Sequence, residues 1–179
     1  LDPFYENIKT LLTIHNLEFQ GNFDQNEARL FNHTFDETYI HFGRVNFLKA
    51  GIARATKINT VSPSFRNEVL LQDKGFSLDG MLRYREADFS GILNGIDEAI
   101  FNPEIDPYLF KTFDVKTHIS GKKANKKALF KQFDFGEDKQ LFTYIGRLSS
   151  QKGIHIFQQT LDDFLAHADI KLFLMGSGN

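Results

Sequence analysis

The chain has 179 residues, of which 41% are hydrophobic and 25% charged, enough for one large domain or parts of two. A net charge of −2 gives no overall field to attract nucleic acid or a membrane surface, and the lack of cysteine excludes disulfides and thiolate chemistry. Since no apolar run approaches the roughly 20 residues of a membrane span and the first residues lack a basic-then-apolar signal pattern, we expect a soluble, cytoplasmic protein.

Strands and helices alternate in the first third of the chain. A short apolar and β-branched run at 10–14 predicts a strand, and apolar residues spaced along 44–55 predict an amphipathic helix. A second strand is predicted at 57–61, and Ser62 and Pro63 then indicate the N-cap and first position of another helix. Because a strand, a helix and a strand follow in this order, the sequence predicts a parallel sheet.

Loops and turns dominate the middle of the chain. Residues 72–88 are predicted to form a loop, and a brief apolar run at 90–93 ends in the turn signal Asn94-Gly95. The Asn-Pro and Asp-Pro pairs within 97–107 disfavour helix and predict an extended linker. We therefore predict a first domain at 1–97, a linker at 98–110 and a second domain at 111–179.

A second strand–helix–strand unit is predicted towards the end of the chain. The helix before it, at about 120–133, has Ser120 as its N-cap and four residues facing inward: Ala124, Ala128, Leu129 and Phe133. A strand at 140–145, a helix at 153–167 and a strand at 170–175 form the unit itself. Two such units predict the α/β fold class, because strand–helix–strand crossovers build parallel sheets.

Three loops follow predicted strands at the edge where open parallel sheets bind ligands. They begin at His15, at Gly146 and at Gly176. For His15 alone the residue type favours a buried core histidine that bonds a backbone carbonyl, and Asn94-Gly95 favours a simple turn. The lysines of 111–131 are typical of the solvated face of a helix, which does not indicate a nucleic-acid site. With no cysteine, no His pair at i, i+4 and no carboxylate cluster, the sequence predicts no metal site.

The loop between Gly146 and Gly153 carries the clearest chemical signal. Arg147 and Lys152 lie five residues apart within it, just before the predicted helix. Glycines let the backbone approach a ligand closely, and a helix N-terminus favours an anion. Arg supplies a planar fork for phosphate oxygens and Lys a point charge. The pattern therefore suits a diphosphate, and it is equally compatible with a solvated loop whose basic residues contact only water.

Five motifs, in order along nearly the whole chain, resemble those of bacterial glycogen synthases and plant starch synthases. They are 13–21 (TIHNLEFQG), 46–52 with 60–64 (NFLKAGI, TVSPS), 91–97 with the Asn-Pro and Asp-Pro-Tyr segments after it (GILNGID), 146–153 (GRLSSQKG) and 174–178 (LMGSG). The first and third discriminate this family, whereas the GRLSSQKG type is shared loosely with other glycosyltransferases. Phe19 and Phe101 stand where the family has Tyr and Trp.

The resemblance implies two Rossmann-like domains of the GT-B glycosyltransferase type, both incomplete here, with the active site in the cleft between them. The first domain would bind the glucan acceptor and the second ADP-glucose or UDP-glucose. Glucose would pass with retention to the non-reducing end of an α-1,4-glucan such as glycogen, without a metal or a cofactor. The bacterial and plant resemblance favours ADP-glucose, and the oligomeric state is left open.

The resemblance also assigns roles to individual residues. Arg147 and Lys152 would hold the diphosphate and stabilise its charge as it leaves, and His15 would lie beside the transferred glucose. Together these three form the expected catalytic set. The expected substrate-binding residues are Asn94, Gln151, Gly146 and Gly176, with Asn94 and Gln151 as sugar or acceptor contacts.

Two departures from the family affect the functional interpretation. The KxGGL loop and an Asp that precede the first motif in family members are absent, and the Glu-bearing motif that binds glucose is not found before Asn179. We therefore expect the 179 residues to be inactive alone. Two alternatives stay open: another GT-B sugar-nucleotide transferase such as a sucrose synthase, and a non-catalytic remnant that binds nucleotide or glucan.

Overall fold

A computed structural model of the chain describes residues 3–28, 34–167 and 169–178. It divides into two compact units, Leu1–Ile96 and Asp97–Asn179, each described below by itself. In the described part of the chain, no helix is both long enough and apolar enough to cross a membrane.

A three-stranded parallel sheet organises the first unit. Its strands β1 (Leu11–Ile14), β5 (Lys57–Thr60) and β6 (Phe89–Gly91) lie in the order β1–β5–β6. The register pairs Ile14 with Thr60 and Thr60 with Gly91, so the three strands end level with one another. The parallel sheet predicted from the sequence is therefore confirmed.

A small antiparallel sheet lies between β1 and β5 in the chain. Strands β2 (Asn22–Phe23), β3 (Ile40–His41) and β4 (Arg44–Asn46) have the order β2–β4–β3, and the four-residue helix α1 spans Gln25–Ala28. Helix α2 (Phe47–Arg54) follows β4 directly, because the Asn46 side chain accepts a hydrogen bond from the Lys49 N–H (2.7 Å) and caps the helix. The predicted helix start at 44 is therefore wrong, since 44–46 pair with other strands before the helix begins.

Two short helices link β5 to β6. Helix α3 (Pro63–Glu68) begins as predicted: the Ser62 hydroxyl accepts from the Phe65 N–H (2.9 Å), and proline takes the first helical position. Helix α4 (Asp79–Tyr84) lies in the stretch predicted to be a loop, so that prediction is wrong. It forms because Leu78 and Leu82 are buried in the core, a tertiary contact that so short a segment does not signal.

One hydrophobic cluster holds these elements together. Its buried members are Ile14, Leu17, Ile52, Ala55, Ile58, Val69, Leu78, Leu82 and Phe89. Arg85, just after α4, links this helix to the end of α2. Its guanidinium donates to the carbonyls of Ile52 (2.7 Å), Ala53 (2.8 Å) and Ala55 (2.6 Å), which satisfies the C-terminal carbonyls of α2.

The second unit contains a two-stranded parallel sheet and two longer helices. Strands β7 (Gln140–Ile145) and β8 (Ile170–Met175) pair along their full lengths, and α6 (Ile154–His167) connects them, as predicted. Helix α5 (His118–Gln132) precedes the sheet. The predicted cap at Ser120 is wrong, because the helix begins two residues earlier and the Ser120 hydroxyl donates to the Thr117 carbonyl (3.0 Å).

Two further predictions about the second unit are corrected. On α5 the buried aromatic residue is Phe130, whereas Phe133, predicted to face inward, is 44% exposed. The segment after 97, predicted to be extended, forms successive turns. In these turns Asp97, Asn102 and Asp106 each accept a backbone N–H from the residue two positions on, at 2.8–3.0 Å.

Arg85→Ala should destabilise the first unit by about 2–3 kcal/mol, because it leaves several half-buried carbonyls without a donor. Urea unfolding of the chain, followed by circular dichroism, measures the change. Lys57→Ala is the matched control, because Lys57 pairs with Asp88, as Arg85 does, but is 61% exposed and bonds no helix terminus. Its removal should change the midpoint little. Equal losses for the two variants would contradict the helix-capping role of Arg85.

Candidate functional site

His15 begins the loop at the carboxyl edge of the first sheet. It follows β1 directly and is exposed, so the interpretation as a buried core histidine is wrong. The chain on both sides is anchored, because Ile14 and Leu17 are buried. The Asn16 side chain also accepts a hydrogen bond from the Glu18 N–H (2.9 Å), which closes a tight turn. The anchored loop therefore presents the His15 imidazole at the surface.

Asn94 lies three residues beyond β6 and is also exposed. The chain leaves the sheet still paired, since the Ile92 N–H donates to the Thr60 carbonyl (2.8 Å). Because β1, β5 and β6 end level with one another, the His15 and Asn94 loops emerge from the same edge of the sheet. The sheet order separates their strands by β5 alone.

At the carboxyl edge of the second sheet, the two chains stay paired beyond their strands. The Gly146 N–H donates to the Met175 carbonyl (3.0 Å), and the Leu148 N–H donates to the Ser177 carbonyl (2.9 Å). The backbones approach so closely at Gly176 that a side-chain Cβ there would overlap the Gly146 carbonyl oxygen. Glycine is thus required at 176 by packing, and this packing fixes the start of the basic loop.

The basic loop, 147–152, runs from this paired segment to helix α6. The Tyr144 hydroxyl donates to the Arg147 carbonyl (2.8 Å), and a 3-10 turn at Ser150–Lys152 brings the chain to the helix. Arg147, Gln151 and Lys152 are all exposed. The Ile154 N–H donates to the Ser149 carbonyl, and the Ile156 N–H donates to the Gly153 carbonyl. These two N–H groups are therefore not available to an anion, which the start of the helix would attract through its dipole.

The two edges of the second sheet differ in how their charged side chains are paired. Lys139 precedes β7 and Asp169 precedes β8, and their side chains form an ion pair (2.5 Å) at the amino edge. The hydrogen bond to Asp169 raises the pKa of Lys139. Among the ion pairs of the described residues, none involves Arg147 or Lys152 at the opposite edge. The carboxyl edge therefore carries two positive charges without a protein counter-ion.

The arrangement of each edge suits a different kind of ligand. The edge with Arg147 and Lys152 favours an anion, and the edge with His15 and Asn94 offers an imidazole and an amide as hydrogen-bonding groups. Within residues 3–28, 34–167 and 169–178, no three His, Cys, Asp or Glu side chains are grouped as a metal site requires.

Comparison with known proteins finds relatives along nearly the whole chain. Residues 1–84 match the family model of the starch synthase catalytic domain. The glycogen synthase of Acholeplasma laidlawii is 54% identical over 98% of this chain and 37% of its own length. The glycogen synthase of Bacillus subtilis is 38% identical over 98% of this chain and 38% of its own length. The chain belongs to the glycogen and starch synthase family.

A solved structure of the family gives the fold. The catalytic domain of starch synthase IV from Arabidopsis thaliana, bound to ADP and acarbose, matches with a TM-score of 0.80 and 30% identity. The match covers 98% of this chain and 39% of that one, and the prediction of a GT-B type α/β fold is confirmed. The chain spans a little over a third of the length of the glycogen synthases it matches.

The structure adds supporting residues that the sequence analysis missed. Leu17 anchors the His15 loop, and Tyr144 holds the Arg147 carbonyl. The burial of Leu17 could have been predicted, because it is an apolar residue within a polar loop. The contact of Tyr144 could not, because its hydroxyl bond depends on how the chain turns after β7.

Gly176→Ala should lower the stability of the second unit by about 1–3 kcal/mol, because the added methyl overlaps the Gly146 carbonyl. Thermal unfolding of the chain measures the loss. Gly80→Ala is the matched control, since its nearest neighbour is a flexible arginine tip at 3.9 Å and alanine favours helix. If Gly176→Ala unfolds no earlier than the unmodified chain, then the two loops do not pack as described.

Proposed function

We propose that this chain is part of a retaining glucosyltransferase that moves glucose from ADP-glucose to the non-reducing end of an α-1,4-glucan. The similarity to glycogen synthases supports the glucan product, and the neighbouring starch synthase is a protein bound to ADP and acarbose. That bound nucleotide favours ADP-glucose over UDP-glucose as the donor. We further propose that the parent enzyme is cytoplasmic and works without a metal or another cofactor.

One observation carries the proposal: in the described part of the chain, no carboxylate forms an ion pair with Arg147 or Lys152, which stand before α6. A nucleoside diphosphate that leaves a sugar gains negative charge, and fixed positive groups stabilise that charge as it develops. Arg147 would donate two parallel hydrogen bonds to phosphate oxygens, and Lys152 would supply a point charge. Gly146 and Gly176 would keep the backbone close to the nucleotide sugar, and Gln151 would contact it with its amide.

The edge of the first sheet would serve the sugar that is transferred. His15, held at the surface by its buried neighbours, would donate a hydrogen bond to a glucose hydroxyl. Asn94, which emerges from the same edge, would contact the sugar or the acceptor. These are binding and orienting roles, which accelerate transfer by holding the anomeric carbon against the acceptor hydroxyl.

The diphosphate role is tested by Arg147→Ala in the 179-residue chain. Loss of a charge-assisted bond should lower the ADP association constant by about ten- to a hundredfold, measured by titration calorimetry. Lys139→Ala is the matched control, because it removes a positive charge from the opposite edge of the same sheet. Its effect on ADP binding should be small. Equal affinities of Arg147→Ala and the unmodified chain for ADP would show the diphosphate assignment to be wrong.

The reaction is tested by transfer of labelled glucose to glycogen. The enzyme that contains this chain should use ADP-glucose faster than UDP-glucose, and the new linkage should be digested by an α-1,4-specific hydrolase. The 179 residues alone should bind ADP but transfer nothing, because they span a little over a third of their relatives. Transfer by the isolated chain would refute the second expectation. A whole enzyme that uses only another acceptor would refute the proposed function.

A further inference from the structure

The backbone of residues 93–96, which follow β6, is not held by hydrogen bonds. Just before them the Ile92 N–H donates to the Thr60 carbonyl (2.8 Å), and just after them Asp97 accepts N–H groups from the turn that it begins. The four residues between are all exposed and lie outside any helix or strand. Among the described residues, no hydrogen bond involves a backbone or side-chain group of 93–96. This part of the chain is therefore free to change its local conformation.

This segment contains Asn94-Gly95, the only Asn-Gly pair in the sequence. In such a pair the glycine nitrogen can attack the side-chain carbonyl of the asparagine, because no Cβ hinders the approach. Helices and strands prevent this attack, since their hydrogen bonds hold both the backbone and the N–H in place. At 94–95 there is no such restraint. The pair combines a reactive sequence with a backbone that can reach the geometry of the attack.

The fold does not require glycine at position 95. A Cβ built on Gly95 meets no atom within 4 Å, and the residue is not among those with a positive φ. Gly91, four residues earlier, differs in this respect, because a Cβ there would lie 2.3 Å from the Ser62 carbonyl oxygen. Alanine can thus replace Gly95 without strain, so the reactivity of the pair can be changed while the fold is kept.

The reaction at this pair is deamidation. The Gly95 nitrogen, deprotonated by base, forms a bond to the side-chain carbonyl carbon of Asn94, and the side-chain nitrogen leaves as ammonia. The product is a cyclic imide. Water then opens the ring at either of its carbonyls and leaves aspartate or isoaspartate at position 94, the second with an additional carbon in the backbone. Neither an oxidant nor another enzyme is needed.

Two related pairs in the chain do not meet these requirements. Asp79 also precedes a glycine, but it is buried and forms an ion pair with Arg83 (2.8 Å) within helix α4. Asn102 is followed by proline, whose nitrogen carries no hydrogen and cannot make the attack. The reactivity is therefore specific to Asn94.

We propose that Asn94-Gly95 is a site of spontaneous modification, at which the folded protein converts Asn94 to aspartate and isoaspartate. The consequence for activity rests on the proposed function, in which Asn94 contacts the sugar or the acceptor. An amide donates and accepts hydrogen bonds, whereas a carboxylate only accepts them. The additional backbone carbon of isoaspartate also displaces the side chain. Glucose transfer by the whole enzyme therefore declines as the enzyme ages.

The test follows the chain during incubation at mildly alkaline pH. Trypsin releases residues 86–111 as one peptide, which carries both Asn94 and Asn102. Mass spectrometry and labelling by an isoaspartyl methyltransferase should locate the change at Asn94 and find none at Asn102. Because no hydrogen bond holds 93–96, the rate in the folded chain should lie within about threefold of the rate in urea.

Gly95→Ala should slow the conversion of Asn94 about tenfold, since the added methyl hinders the attacking nitrogen, and should leave the unfolding midpoint unchanged. Gly80→Ala is the matched control, because it makes the same change at another exposed glycine, and its Asn94 should react at the normal rate. In the whole enzyme, transfer of labelled glucose to glycogen should decline in step with the conversion. Relative to its own starting activity, Gly95→Ala should lose transfer about ten times more slowly.

Three results would overturn the proposal: no conversion of Asn94 in the folded chain, conversion far slower there than in urea, or equal rates in Gly95→Ala and the unmodified chain. The proposed function fails separately. If Asn94 is converted while transfer stays constant, the modification site stands and the sugar contact assigned to Asn94 is wrong. If the whole enzyme transfers no glucose from the start, the proposed function is wrong, and the mass of the peptide still decides the modification.

Discussion

The buried hydrogen bond from the Thr60 hydroxyl to the Ile14 carbonyl (2.7 Å) marks the constraint on which the first unit depends. It lies at the last residue pair of β1 and β5, and Thr60 also pairs with Gly91. Parallel strands that end level with one another deliver their following loops to one edge of the sheet. The exposure of His15 follows from this register and from burial of Leu17, since both ends of the loop are fixed before its polar side chains are placed.

In the second unit, the carboxyl edge of the sheet is distinguished from the amino edge by its unpaired positive charges. Among the described residues, Arg147 and Lys152 at its carboxyl edge have no ion-pair partner, whereas at the amino edge Lys139 pairs with Asp169. An anion would therefore be attracted to one end of this sheet and not to the other. The close approach at Gly176 matters for the same reason. The contact between the two backbones at Gly176 fixes the position at which the Arg147 loop begins.

Local signals carried most of what could be predicted from the sequence. Ser62 and Pro63 specify a helix start by themselves, and the runs at 140–145 and 170–175 specify strands, so these elements agree with the structure. Helix α4 was missed because its stability comes from burial of Leu78 and Leu82 against distant residues. The strand at 44–46 was missed because its partners, β2 and β3, are joined to it only in the fold. The position of the 146–153 loop between a strand and a helix could be predicted, whereas the exposure of His15 could not.

The backbone near β3 and α4 shows a conflict between local preference and fold, because aromatic residues occupy two left-handed positions there. Asp134 also has a positive φ, and it needs no special explanation, since Asp adopts the left-handed region more readily than most residues. Phenylalanine does not favour this region. Phe42 and Phe76 are nevertheless in it, and both residues are at least half exposed. At position 42, the first residue of the hairpin turn, asparagine, aspartate or glycine is the usual choice. The Phe42 ring does have a contact within the fold, since its centroid lies 4.3 Å from that of the His41 ring.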